Sequence, residues 1–137
     1  KPALILLALW RMGGTRCIIF IAGLRNIPDH YYEAATVDGA SGWQRFTKIT
    51  LPLLTPTIFF NMVMDIIISF QVFAEAYVTT QGGPGNSTFF YVQYIYERAF
   101  ASFQMGYASA IAWILFLIIL GFSLFQFAFS KKWVFYR

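Results

Sequence analysis

Between Ala99 and Ser130 the chain carries no charged side chain. That run is longer than the ~20 residues with which an α-helix crosses the hydrocarbon layer of a bilayer. Hydrocarbon offers no partner for a backbone amide, so a lone segment of this kind can close its hydrogen bonds only as a helix. A membrane span is therefore expected at 105–130. Two further segments have the same character, at about 3–24 and about 53–78. A chain of 137 residues that is 58% hydrophobic and only 12% charged lies well outside the composition of soluble domains. The expected fold class is all-α integral membrane, with three transmembrane helices.

Residues 28–51, between the first two spans, form a polar island that reads as a helix-turn-helix elbow. Its first helix starts near Pro28 and runs to Val37, because Gly39 supplies the left-handed residue that commonly closes a helix. Ser41 and, three positions on, Gln44 make a capping box for the second helix, and Pro52 reads as a boundary before the next span. That span is expected to kink near Pro56, whose missing N–H falls within its first turn. Residues 79–87 are a glycine-rich loop in which Pro84 fixes a turn. This loop lacks the Lys-Ser/Thr ending of a nucleotide-binding glycine motif. Phe89, Val92, Tyr96, Phe100 and Phe103 then recur at helical spacing, with Gln93, Glu97 and Arg98 on other faces. An outer interfacial helix is thus expected within 79–103.

The residues Glu33-Ala34-Ala35, Asp38-Gly39-Ala40, Phe46 and Ile49-Thr50-Leu51-Pro52 resemble the EAA loop of the permease subunits of binding-protein-dependent ABC importers, in its sugar-uptake, maltose-type form. Ala22-Gly23-Leu24-Arg25-Asn26-Ile27-Pro28 resembles the segment leading into that loop. Thr80-Gln81-Gly82-Gly83-Pro84 resembles the Thr-x-Gly-Gly-Pro turn of the same branch, and the likeness runs over about residues 9 to 130. It implies the C-terminal part of one permease transmembrane domain, with further spans N-terminal to it. It also implies that the elbow is cytoplasmic and couples to a separate ATPase through Glu33, Ala34, Ala35, Asp38, Gly39, Trp43, Phe46, Ile49 and Pro52. The implied partners are ATP-binding subunits, a second permease subunit and an extracytoplasmic solute-binding protein, with a sugar or related polyol as cargo. ATP and magnesium belong to the ATPase partner; this chain is expected to bind no cofactor and to be no enzyme.

Arg11, Arg16, Asn61, Asp65 and Gln71 fall at membrane depth, where polar groups are expensive unless they face protein or a water-filled path. They are the candidate substrate-path residues, and interhelical hydrogen bonding is the competing role for each. Glu75 lies near enough to the far end to reach the interface. Counting rise inward from Leu24 and from Pro52 puts Arg11 and Asp65 at the same depth of roughly 20 Å. An ion pair between these two is therefore expected, with Arg16 nearer the level of Asn61. The same charges carry an alternative function, a secondary transporter or channel working through Asp65, Arg11 and Arg16 without an ATPase. An integral-membrane enzyme or a metal site finds little support in a single histidine, His30, and a single cysteine, Cys17.

Placing the elbow and the C-terminus in the cytoplasm gathers Arg25, Arg45, Lys48, Lys131, Lys132 and Arg137 on that side and leaves Lys1 and Arg98 outside. The net charge of +4 is then a product of multi-pass topology in the cytoplasmic membrane. The lipid bilayer is the expected surrounding, and no basic surface remains for nucleic acid. The opening Lys1-Pro2 has no signal-peptide pattern, and the resemblance implies that a preceding half of the permease is missing.

Overall fold

Three helices are long and apolar enough to cross a membrane, Pro2–Arg25, Gly42–Phe70 and Met105–Ser130. The computed structural model describes residues 2–131 and 133–135, without the side chain of Met12, and no strand occurs among them. In chain order the elements are α1 (Pro2–Arg25), α2 (His30–Val37), α3 (Gly42–Arg45), α4 (Leu51–Phe70), α5 (Ala74–Thr79), α6 (Tyr91–Tyr96) and α7 (Met105–Ser130). At 1.5 Å per residue the shortest of the three long helices still reaches about 36 Å. Lys1, Lys132 and Arg137, which enter the expected charge asymmetry, lie outside the described residues.

Pro52 is not the boundary expected of it. α3 passes through a π-helical stretch, Phe46–Thr50, directly into α4. The Leu51 N–H reaches back five residues to the Phe46 carbonyl. A proline ring clashes with the carbonyl four residues earlier in an α-helix, and a wider turn just before it relieves that crowding. Pro56 is absorbed differently. Its missing N–H would have served the Pro52 carbonyl, and the Thr55 hydroxyl donates to that carbonyl instead, at 2.7 Å. The helix therefore runs on through both prolines.

At its other end the second long helix stops short of the expected 78. α4 ends at Phe70, the Gln71 N–H closes on the Ile68 carbonyl, and Phe73 takes φ −137° and ψ −64° before α5 begins. The chain breaks over residues 71–73, and α5 is a separate short helix.

α4 is the middle element, packed against α1 and α7. A Cβ placed on Gly23 would stand 2.7 Å from Thr57 Oγ1 and 3.0 Å from Leu54 Cδ1, so the absence of a side chain there sets the approach of α1 to α4. Gly23→Ile is expected to destabilise the assembled protein by about 1–3 kcal/mol through overpacking. The melting midpoint in detergent measures this, and an unchanged midpoint would count against the close approach. On the α7 side the contact is aromatic, with Phe59 edge-on to Phe127 at 5.2 Å and Phe70 against Phe122 at 5.4 Å. Beyond α7 the Phe135 N–H donates to Thr55 Oγ1 at 3.0 Å. The tail thus returns to the elbow end of α4.

At the opposite end, α5 and α6 meet through Phe73, Tyr77 and Tyr96, whose rings lie 5.1 and 5.3 Å apart. The intervening loop is drawn in by Thr80 and Thr88, with hydroxyls 2.8 Å apart. The helix expected within 79–103 is present as α6 continued by a π-helical stretch, Glu97–Ala101. Its polar face is not as expected: Gln93 is only 1% exposed. The closest side chains to the Gly82 turn include Phe89 and Gln93, so the turn claims Gln93 for the interior.

Candidate functional site

The turn of the elbow is held by local hydrogen bonds on both sides. At the end of α2 the Ala40 N–H bonds the Ala35 carbonyl at 2.9 Å and the Gly39 N–H bonds the Thr36 carbonyl at 3.1 Å. With Gly39 at φ +70°, this is a Schellman ending. The expected capping box is also formed: the Ser41 N–H donates to Gln44 Oε1 at 2.8 Å and the Gln44 N–H to Ser41 Oγ at 3.4 Å. Two longer ties close the hairpin. Tyr32 and Thr50 hydroxyls stand 2.9 Å apart, and Arg45 Nη1 donates to Thr36 Oγ1 at 3.3 Å. The turn is thus bonded to the helix that continues into α4.

This frame presents an apolar surface. Trp43 is 72% exposed, and its ring lies 5.8 Å from that of the exposed Phe46. Val37, at the end of α2, is 89% exposed and was not among the residues anticipated; its only signal in sequence is an apolar residue just before the turn. Glu33, Ala34, Asp38 and Gly39 are exposed, Ile49 and Pro52 are half-buried, and Ala35 is buried. Ala35 serves the turn through its carbonyl. Exposed apolar clusters rimmed by polar groups are the usual mark of a docking surface.

Between α1 and α4 the intramembrane polar groups form one cluster. The Arg16 guanidinium forks, with Nη1 donating to Asn61 Oδ1 at 2.9 Å and Nη2 pairing with Asp65. Asn61, 3% exposed, donates its own Nδ2 to the Thr57 carbonyl at 2.8 Å. Asn61 and Asp65 can share Arg16 because residues four apart lie on one helix face.

The expected pairing of Arg11 with Asp65 is therefore wrong, while the placement of Arg16 beside Asn61 is right. Pro52 does not mark a helix start, so it is not the origin from which depth along α4 is set. Gly23 in fact lies against Thr57, and about two turns outward along each helix that register brings Arg16, not Arg11, to Asp65. Arg11, further out, pairs with Glu75 of α5 across the break in the chain. Gln71 is exposed at the end of α4, beyond the cluster. Gln126 of α7 is buried, and neither of its amide atoms has a hydrogen-bond partner among the described residues. Its polarity within an uncharged run was the only sequence signal for it.

The arrangement provides a rigid apolar knob at one end, a charged clasp between two long helices, and a break in the chain at the other end. These features suit a part that transmits displacement. Residues 1–134 match the family described as "Binding-protein-dependent transport system inner membrane component". The chain is 52% identical over 136 residues to the probable ABC transporter permease protein YesP of Bacillus subtilis, covering 98% of this chain and 44% of that protein. It is 42% identical to the arabinooligosaccharides transport system permease protein AraP of the same organism, over 88% of this chain and 39% of that protein. With the sulfoquinovosyl glycerol transport system permease protein SmoG of Agrobacterium fabrum it shares 39% identity, over 85% of this chain and 38% of that protein. The chain thus spans less than half the length of these relatives.

Proposed function

The chain belongs to the inner-membrane components of binding-protein-dependent transport systems, and on that premise we propose that it is part of the permease of an ABC importer for a sugar or related polyol. The elbow faces the cytoplasm, as does the C-terminus, and docks on a separate ATP-binding subunit that holds ATP and magnesium. A second permease subunit and an extracytoplasmic solute-binding protein complete the assembly. The names of two relatives, which carry arabinooligosaccharides and sulfoquinovosyl glycerol, support the substrate class. Arg11, Arg16, Asp65 and Gln71 are assigned to the solute path; Asn61, 3% exposed between α1 and α4, serves instead to hold Arg16.

The observation that carries this reading is the unbroken course from Gly42 to Phe70. Closure of the ATPase moves the knob formed by Trp43 and Phe46, and the push passes into α4 without crossing a flexible joint. Arg16 takes α1 along. At residues 71–73 the rigid path ends, so α5 and the loop beyond it are free to change their angle to α4.

The test is the joint substitution Trp43→Asp and Phe46→Asp in the full-length permease expressed with its ATPase. Desolvating two carboxylates at an apolar interface is expected to reduce ATPase co-purification at least tenfold, with the amount of permease in the membrane unchanged. Undiminished co-purification would overturn the docking assignment. Sugar uptake by the assembled protein without ATP would instead support a secondary carrier.

A further inference from the structure

Where α1 meets the elbow there is a recess of about 480 Å³, whose wall includes Ile21, Leu24, Arg25, Pro28, Asp29 and Tyr32. No charge separates Arg16 from Arg25, so Arg25 marks the point where α1 leaves the hydrocarbon for the headgroup layer. Two opposite charges share this wall without meeting. Arg25 ends α1 and Asp29 stands just before α2. Both are exposed, and neither side chain has an ion-pair or hydrogen-bond partner among the described residues. Asp29 even holds the capping position of α2 without making a side-chain capping bond. The turn between the two is fixed, because Ile27 is 7% exposed and its N–H bonds the Leu24 carbonyl at 3.2 Å. We propose that this recess seats the headgroup of a zwitterionic phospholipid of the ethanolamine type, in the leaflet on the elbow side.

The wall matches that ligand group by group. A guanidinium presents its N–H donors as a fork that fits two phosphate oxygens. An ionised carboxylate only accepts, so Asp29 calls for an ammonium that still carries N–H. The ethanolamine headgroup holds both groups on one short arm. Ile21 and Leu24, 52% and 42% exposed, lie on the span side of the two charges and offer apolar surface to the start of an acyl chain. Tyr32 contributes its ring, since its hydroxyl is engaged with Thr50 Oγ1 at 2.9 Å. A glycerol headgroup brings a phosphate for Arg25 but a net negative charge against Asp29. A choline headgroup has no N–H to give. A soluble zwitterion would leave the apolar part of the wall uncovered. The site touches the end of α1 and the start of α2, so an occupant braces the angle at which the elbow leaves the span. On the orientation proposed above the leaflet is the cytoplasmic one; the site itself requires neither the sugar nor the ATPase.

The experiment uses the full-length permease purified in detergent and offered dioleoyl lipids in equal amounts, with retained lipid counted by native mass spectrometry. Phosphatidylethanolamine is expected to be retained at least fivefold over phosphatidylcholine and phosphatidylglycerol. Its N,N-dimethyl form, which keeps one N–H, should stay within threefold of it. Asp29→Asn is expected to bring phosphatidylethanolamine and phosphatidylcholine within twofold of each other, and Arg25→Gln to lower retention of phosphatidylethanolamine at least fivefold. Equal retention of the three lipids, retention of none, or a preference for phosphatidylglycerol overturns the site. A preference for phosphatidylethanolamine that both substitutions leave unchanged puts the lipid elsewhere and overturns it as well. Where a substituted permease fails to assemble, the unsubstituted one decides: a dimethyl form retained no better than phosphatidylcholine removes the N–H requirement and with it the role of Asp29.

Discussion

Arg16→Asp is expected to lower ATP-driven uptake about a hundredfold, Asp65→Arg to do the same, and the two together to recover most of the loss. Each single reversal places like charges where Arg16 and Asp65 now pair, within apolar segments that cross the membrane. Leaving such a charge unpaired costs about 3 kcal/mol, which corresponds to about two powers of ten in a population. The double reversal restores opposite signs at the same depth. It also keeps a guanidinium one helical turn from Asn61, whose Oδ1 now accepts from Arg16. Membrane-inserted protein and uptake should be measured separately for all four proteins. A double variant no better than the poorer single one would show that the two residues do not act as a unit.

Gly39→Val is expected to reduce uptake and sugar-stimulated ATP hydrolysis tenfold or more, while Gly39→Asn stays within about threefold of the parent. A Cβ on Gly39 would meet nothing within 4 Å, so space is not the issue. The difficulty is φ +70°, a region that asparagine visits and a β-branched residue avoids at a cost of about 1–3 kcal/mol. Valine would be relieved by undoing the Schellman ending and swinging α2 away from α3, which displaces Glu33 and Val37 relative to Trp43. Insertion should be unaffected, because the elbow lies between the long helices. Equal behaviour of the two variants, or a matching loss of membrane-inserted protein, would refute a coupling role for the turn.

What could be read from the amino acids was whatever is decided within one or two turns of chain. The uncharged run placed α7 and ended where it ends, at Ser130, Ser41 with Gln44 dictated the start of α3, and Gly39 dictated the end of α2. Pro52 misled because its effect depends on the turn before it: a π-helical stretch absorbs the ring, and nothing local distinguishes that from a helix start. One misplaced origin then shifted the register between α1 and α4 and assigned Asp65 the wrong arginine. Glu75 found its partner only because the chain breaks after Phe70, which apolar composition does not disclose. Gln93 was assigned to a polar face by periodicity, yet the fold of the glycine-rich turn brings it inside. Val37 was overlooked because its exposure follows from the direction in which the turn leaves α2.

The helices flanking α4 are fastened to it by different physics. Arg16, Asn61 and Asp65 clasp α1, and no lipid can stand in for those partners. Along α7 the contact is Phe59 and Phe70 against Phe127 and Phe122, and acyl chains are as apolar as these rings, so exchanging one for the other costs little. The segment after α7 is tied to the elbow end of α4 by the Phe135 N–H on Thr55, and towards its other end α7 accepts a hydrogen bond at the Ile111 carbonyl from the Tyr91 hydroxyl of α6. α1 is thus held to α4 by directional polar bonds, and α7 by ring contacts that can slide past one another.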